Sequence, residues 1–322
     1  MLRAPSADES PVIHTLMTGI QRHDGLPMVA LAEEVDDLFA SPDINPELDL
    51  RVVDVDGELI AYAIVDHSPS GERLERAMLF GGVHPDHRNQ GIGRQLLAWQ
   101  EERAIEQLAA TDPALPAHLM NYVFEFEEAR LGFFEAHGFE RARFDHELLR
   151  PLTDLPAIPA VNGICIRPWT EADNEPARVV FNASFADHWG STTRSAQYWD
   201  HMLHSGGYRL DLSFVAVDDV TDEIVALSLN GHYPDDQEIT GRLDGWVQTL
   251  GTLRSHRRRG IASALVIYSM HAFASAGLDH AMLGVDTENP SGAYGIYADL
   301  GFERVHTIVT LRKTVRSGSL TG

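Results

Sequence analysis

The chain is poor in lysine, cysteine and basic charge. Lys313 is its only lysine, although lysine and arginine together number 25. That bias reflects genome base composition rather than function. It also leaves no Gly-Lys-Ser/Thr, so a Walker A phosphate loop is excluded. The single cysteine, Cys165, excludes an intrachain disulfide framework. It sits in Gly163-Ile-Cys-Ile166, a short apolar strand, so its thiol is expected to be buried rather than to carry an acyl group. No apolar run approaches membrane-spanning length. The opening residues Met1-Leu-Arg-Ala-Pro-Ser-Ala-Asp8 lack the apolar core of a signal peptide. A cytoplasmic enzyme is the simplest class. Acidic residues number 48, and the formal net charge is −23. That balance excludes a general nucleic-acid surface, which needs a basic face. It favours solubility and would attract a cationic substrate.

At 322 residues the chain has room for two domains of ordinary size. Two stretches share a pattern. The first is Val83-His-Pro-Asp-His-Arg88-Asn89-Gln90-Gly91-Ile92-Gly93-Arg94, and the second is Thr252-Leu-Arg-Ser-His-Arg257-Arg258-Arg259-Gly260-Ile261-Ala262-Ser263. Each follows a strand-like run and opens a helix-like run, and each reads Arg-x-x-Gly-x-Gly/Ala. The first turn of a helix has backbone N–H groups without intrahelical partners, and the macrodipole adds positive charge there. An anion finds a prepared site at such an end. Small residues allow close approach, and Arg88 and Arg257 to Arg259 are expected to add forked donors for phosphate. The dinucleotide fingerprint is excluded, because its third glycine and following acidic residue are missing.

On these residues the chain resembles the GCN5-related N-acetyltransferase (GNAT) family, whose acyl-CoA signature is Arg/Gln-x-x-Gly-x-Gly/Ala after the fourth strand. A second family mark follows each loop. It reads Asp286-Thr-Glu-Asn289-Pro-Ser-Gly-Ala293-Tyr-Gly-Ile-Tyr297-Ala-Asp-Leu-Gly301-Phe302 in the second half. In the first it reads Gly132-Phe133-Phe134-Glu-Ala-His-Gly138-Phe139. The resemblance covers nearly the whole chain and implies acetyl-CoA as co-substrate, direct transfer and no metal. It further implies that strands four and five splay apart and that the CoA arm lies between them. Gly81, Gly82 and Val83, and Leu250, Gly251 and Thr252, would then pair with the pantetheine amides as an added strand does. Asn289 joins the CoA-binding set on the same ground.

The repeat extends further. Leu2-Arg3 matches Ile166-Arg167, and strand-like runs follow at 50–55, 59–65 and 77–83, and again at 213–217, 224–230 and 246–252. Fifth strands are expected at 119–126 and 281–285. The proline-rich stretch Pro151-Leu-Thr-Asp-Leu-Pro156-Ala-Ile-Pro159 reads as a linker. The expected organisation is α/β (α+β): a GNAT-like domain over 1–150, a linker over 151–160 and a second domain over 161–322. Each domain would be a mixed, mostly antiparallel sheet flanked by helices.

The halves differ where chemistry is expected. In the family a tyrosine on the fourth helix protonates the departing thiolate. Tyr297 stands at that place, four residues before Gly301, whereas the same spacing in the first half gives Phe134. The second half is therefore expected to catalyse, and the first to bind acyl-CoA weakly or only to support the fold. For the base, Asp244, Glu238 and His232 lie near strand ends, each more simply an ordinary surface residue. His84, His87 and His256 flank the loops without metal-site spacing. The expected acceptor is a small-molecule amine. A protein amine is a second enzyme reading, and a non-catalytic acyl-CoA-binding module is a reading of another class. Monomer and homodimer are both compatible with the sequence.

Overall fold

A computed structural model of the chain describes residues 1–69, 73–186, 191–204, 206–288 and 293–318. The strands are β1 (Leu2–Arg3), β2 (Leu50–Val55), β3 (Glu58–Asp66), β4 (Glu75–Val83), β5 (Ala117–Phe124), β6 (Glu140–Pro151), β7 (Ile164–Pro168), β8 (Phe214–Asp218), β9 (Ile224–His232), β10 (Asp244–Thr252), β11 (His280–Asp286) and β12 (Glu303–Arg316). The helices are α1 (Ser10–His23), α2 (Ala32–Ala40), α3 (Pro46–Asp49), α4 (Ile92–Ala109), α5 (Glu128–Ala136), α6 (Asn174–Phe185), α7 (Ala196–His204), α8 (Gln237–Thr240), α9 (Ile261–Ser275) and α10 (Ala293–Asp299).

The chain forms two compact units, Met1–Ala142 with Val309–Gly322, and Arg143–Ile308. In the first, the strand order is β1-β2-β3-β4-β5, with β12 next to β5. In the second, it is β7-β8-β9-β10-β11-β6. Each unit has one parallel pair, β4 with β5 or β10 with β11, and antiparallel pairs around it. Each is the expected mixed, mostly antiparallel sheet flanked by helices.

Sequence pattern explains the layering. β3 and β9 are near-continuous apolar runs and are buried along almost their whole length. A strand covered on both faces needs such a run. In the first unit Ile13, Leu16 and Ile20 of α1 cover one face of β2 and β3, while Leu96 of α4 meets Ala61 and Ala63 on the other. In the second unit α6 and α7 bring Val180 and Trp199 onto Leu227 and Leu229, while α9 brings Ile261 and Leu265 onto Ala226.

A polar side chain pins each loop-following helix to its sheet at the same place, eight residues after the helix start. Gln100 Nε2 donates to Ile64 O (2.9 Å) and Phe80 O (2.7 Å). In the second unit Ser269 Oγ lies 3.0 Å from Ser228 Oγ and accepts from Asn230 Nδ2 at 2.9 Å. Buried polar groups satisfied in this way fix the helix register.

The compact units differ from two contiguous halves joined over 151–160. From residue 143 onward β6 belongs to the second unit, where it runs antiparallel to β11 from Asp145↔Asp286 to Pro151↔His280. The end of β12 belongs to the first unit. There Lys313 Nζ donates to Glu101 (2.7 Å) and His137 O (3.0 Å), and Arg316 reaches Leu115 O (2.7 Å). Strand pairing between residues far apart in the sequence overrides the punctuation that proline supplies.

Val309 and Leu311 have no exposed surface. Ending the chain after Ile308 is therefore expected to cut amide-exchange protection in β5 while leaving β9 protected. Unchanged protection of β5 would contradict this assignment of the last strand.

Candidate active site

Both parallel pairs part midway. β10 pairs with β11 only from Asp244↔His280 to Val247↔Leu283. Beyond that point β10 stays with β9 as far as Thr252↔Ala226, and β11 stays with β6 as far as Asp286↔Asp145. A gap opens between them, edged by backbone that pairs on its outer side only. Leu250, Gly251 and Thr252 lie on this edge. In the first unit β4 and β5 pair from Glu75↔Ala117 to Met78↔Met120, and Gly81, Gly82 and Val83 border the matching gap. A Cβ on Gly81 would come within 2.8 Å of Tyr62 O, so glycine is required there by the neighbouring strand.

The two gaps are not equivalent. The β10–β9 register shifts between Val247 and Thr249, which places a bulge at Gln248. The β4–β3 register is continuous from Met78 to Val83. A bulge bends a strand and re-aims its groups, and bulges recur beside active sites. The first gap opens into a cavity of about 870 Å³ walled in part by Gly82, Arg94, Asn121, Phe133 and Phe134. Asn121 Oδ1 is buried there without a partner among the described residues, as are Thr252 Oγ1 and Ser184 Oγ at the second gap.

The loops at the strand ends share one backbone path. Asn89 (φ 61°) and Arg258 (φ 62°) are left-handed, and so are Gly91 (φ 83°) and Gly260 (φ 79°), which precede α4 and α9. The first intrahelical donors are Gln95 N to Gly91 O and Ala264 N to Gly260 O. The N–H groups of Ile92, Gly93 and Arg94, and of Ile261, Ala262 and Ser263, thus have no intrahelical acceptor. Each set is a row of backbone donors of the kind that suits an anion.

The signature arginines do a different job from the one expected. Arg88 Nε donates to Val83 O (3.0 Å), and its two terminal nitrogens clasp Asp24 at 2.7 and 2.8 Å. Arg257 Nε donates to Thr252 O (3.2 Å), and Nη2 donates to Ser184 O (2.9 Å). Both guanidinium groups fold back and fasten the strand end to the loop. Arg259 donates to Asn162 O (2.9 Å), and Arg258, Asn89 and Gln90 are exposed. The backbone, not Arg88 or Arg257, offers the free donors.

α5 and α10 end alike. Gly138 (φ 85°) and Gly301 (φ 84°) close them in the left-handed conformation. Phe139 N donates to Phe134 O (3.1 Å), and Phe302 N donates to Tyr297 O (3.0 Å). This is the Schellman closure, for which glycine is the favoured residue. It puts Phe134 and Tyr297 at one structural position, both buried. Tyr297 packs among Leu148, Val247, Met270, Phe273 and Leu283. Burial pushes its phenol up to about 12, so it stays a proton donor at neutral pH. Asn289 lies outside the described residues.

The other expectations fare unevenly. Asp244 is a buried ion-pair carboxylate rather than a surface residue: Arg242 Nη2 lies 2.8 Å away, with Nε at 3.1 and 3.2 Å. His232 Nδ1 lies 2.9 Å from Asp244 O, and Glu238 is exposed on α8. Asp244, Asp279 and His280 bring ligand atoms within 4.8 Å of one another. Arg242 already holds the first of these, and His280 Nδ1 lies 2.8 Å from Asp279. His84 accepts from Asp86 N, and His256 meets Asp218 at 3.3 Å. Cys165 is exposed, contrary to the expectation of burial. Strand alternation turns Ile164 inward and its neighbour outward. Sequence reading passed over the β10 bulge and the buried Glu147 of β6, which neither spacing nor composition marks.

The comparisons agree with this architecture. A model described as an acetyltransferase (GNAT) domain matches residues 47–141, and one described as the acetyltransferase (GNAT) family matches residues 170–302. The chain is 30% identical over 272 residues to a mycothiol acetyltransferase of Salinispora arenicola, covering 80% of this chain and 79% of that protein. The chain belongs to the GNAT family. It is a tandem GNAT N-acetyltransferase. It is also 26% identical over 303 residues to the mycothiol acetyltransferase of Amycolatopsis mediterranei, covering 92% of this chain and 93% of that protein. Among solved structures, a GCN5-related N-acetyltransferase from Sphaerobacter thermophilus aligns with a TM-score of 0.75 at 26% identity, over 99% of this chain and 96% of that one. A tandem GNAT protein from the clavulanic acid biosynthesis pathway shares the fold, with a TM-score of 0.72 at 18% identity over 99% of both chains. No helix among the described residues is long and apolar enough to cross a membrane.

The Asp24–Arg88 clasp in this GNAT protein has a testable pH signature. Burial would raise the Asp24 carboxyl, but the hydrogen bonds and charge of Arg88, joined by His23, together outweigh it and hold the group below the usual aspartate range. A depressed carboxylate adds stability above its unfolded pKa and loses it as pH falls through the folded value. Asp24→Asn is expected to cost about 1–2 kcal/mol at pH 7, between an exposed pair and a buried charged hydrogen bond. In thermal melts that difference should fade as pH falls below the ordinary aspartate range. A difference independent of pH would contradict the assignment.

Proposed function

We propose that the second unit transfers an acetyl group from acetyl-CoA to the primary amine of a small molecule, by direct attack in a ternary complex. The observation that carries this reading is Tyr297, a buried, protonated phenol on the helix beside the gap of a parted strand pair. The unpaired edge at Leu250 to Thr252 supports a role in pairing with the amides of the CoA arm. The N–H groups of Ile261, Ala262 and Ser263 suit its pyrophosphate. Tyr297 then donates its proton to the departing thiolate. The mycothiol acetyltransferase relatives favour the amine that acetylation converts to mycothiol as the first acceptor to test.

For the first unit we propose acyl-CoA binding without transfer. Its cavity and its row of backbone donors suit an acyl-CoA, while Phe134 has no proton to give.

Coupled assays with deacetylated mycothiol, glucosamine and a peptide with a free N-terminus should show CoA release with at least one amine. Tyr297→Phe is expected to lower kcat by about 100-fold with little change in the KM for acetyl-CoA, as loss of a general acid does. With the phenol at about 12, wild-type kcat should not decline between about pH 8 and 10 on account of this group. Unchanged turnover of the variant would remove Tyr297 from the reaction.

A further inference from the structure

β6 carries a carboxylate one strand away from the second gap. Glu147 pairs with Gly284 across the antiparallel ladder, and directly opposed residues point to the same face. Gly284 is the first residue of β11 past Leu283, where the parallel pairing ends, so it borders the gap. A Cβ on Gly284 would meet nothing within 4 Å, so the space above it is open. Glu147 is only 7% exposed, yet its carboxylate makes no hydrogen bond or ion pair among the described residues. A lone buried carboxylate is unfavourable unless something cationic joins it.

The surroundings sort by face. Leu148 and Leu283 pack with Tyr297 on one side of the sheet. Glu147, Asp145, Gly284 and Asp286 alternate to the other side, the one on which Trp246 opposes Met282. Asp236, itself buried, approaches Glu147 from the turn after β9. On β12, Thr307 meets His146 on the Tyr297 side, which turns its neighbour His306 toward the Glu147 side. Tyr297 and the unpartnered Glu147 therefore belong to opposite faces of the sheet at β11.

We propose that Glu147 seats the ammonium group of the acceptor and takes its proton, which makes it a catalytic residue of the transfer reaction. This rests on the reading of the second unit as the transfer site. The ammonium gives one proton to Glu147, directly or across one water. The freed nitrogen lone pair forms a C–N bond at the thioester carbonyl carbon. The C–S bond breaks with its electron pair on sulfur, and the thiolate takes the Tyr297 proton. The second proton on nitrogen, acidified by the new bond, returns to the Tyr297 oxygen through water. Glu147 releases its proton to solvent. The products are an amide, the free thiol of CoA and one proton. Asp145, Asp236 and Asp286 add negative charge that favours a cationic acceptor.

Burial, and then the charge of Asp236, raise Glu147 to about 7. Burial and the charge of Asp286 raise Asp145 to about 6 against Arg143. A base with a pKa near the working pH balances ionisation against proton affinity. Its protonated form cannot accept, so kcat/KM should fall as pH drops below about 7.

The test uses the full chain, acetyl-CoA and whichever of deacetylated mycothiol, glucosamine or a peptide with a free N-terminus is acetylated fastest. Glu147→Gln is expected to lose about 100-fold or more in kcat/KM for the amine and to lose the acid limb near pH 7. Its Kd for acetyl-CoA should remain that of the wild type, which also verifies that it is folded. Glu147→Asp should keep the acid limb at reduced rate. An active wild type with Glu147→Gln within threefold of it would overturn the role of Glu147 and leave the transfer reading standing. A wild type inert toward every amine would overturn the transfer reading, and the role of Glu147 with it.

Discussion

The parallel pairing of β10 with β11 holds for four residues and then stops, and the second unit is arranged around that stop. Parallel strands that separate expose backbone donors and acceptors on two inner edges. Each strand must then be held from its outer side. β9 holds β10, and β6 holds β11 along its whole length from His280 to Asp286. Without β6, the far part of β11 would have no ladder at all. The gap is thus kept open by a strand drawn from earlier in the sequence, and that same strand carries Glu147.

Duplication supplies two such gaps with nearly the same frame. The loops share left-handed residues at Asn89 and Arg258, and at Gly91 and Gly260. The arginines fasten equivalent strand ends. α5 and α10 close at the equivalent glycines Gly138 and Gly301. Against that common background the differences stand out. Arg88 holds a carboxylate, whereas Arg257 holds a carbonyl. The bulge at Gln248 has no counterpart between Met78 and Val83. A phenyl ring at Phe134 stands where Tyr297 has a hydroxyl. Each difference lies near the parting of the strands, and on them rests the proposal of reaction in one gap and binding in the other.

Local signals were readable in the sequence, and distant pairings were not. β2 over Leu50–Val55, the loops, and the Gly-Phe closures after α5 and α10 depend on residues close together in the chain, so pattern and spacing located them. The partner of β6 depends on pairing with residues more than a hundred positions away, and a proline-rich stretch beside it suggested a boundary instead. Cys165 looked buried because it is flanked by isoleucines, yet alternation on a short strand turns it outward. Glu147 sits in Phe144-Asp-His-Glu-Leu-Leu149, which reads as a polar stretch leading into a core strand. Only the register with Gly284 sets it opposite a residue that borders the gap. The signature arginines were recognisable, but their inward fold depended on Asp24 and Ser184, which the motif does not include.

The central claim is that transfer occurs in the second gap, between a phenol on one face and a carboxylate on the other. A crystal structure of the full chain with acetyl-CoA tests it most directly. The account predicts a thioester in the gap between β10 and β11, with its sulfur about 3–3.5 Å from the Tyr297 hydroxyl and its carbonyl carbon open to the Glu147 side. An acetyl-CoA molecule whose thioester is ordered in the first unit alone, beside Phe134, would contradict it.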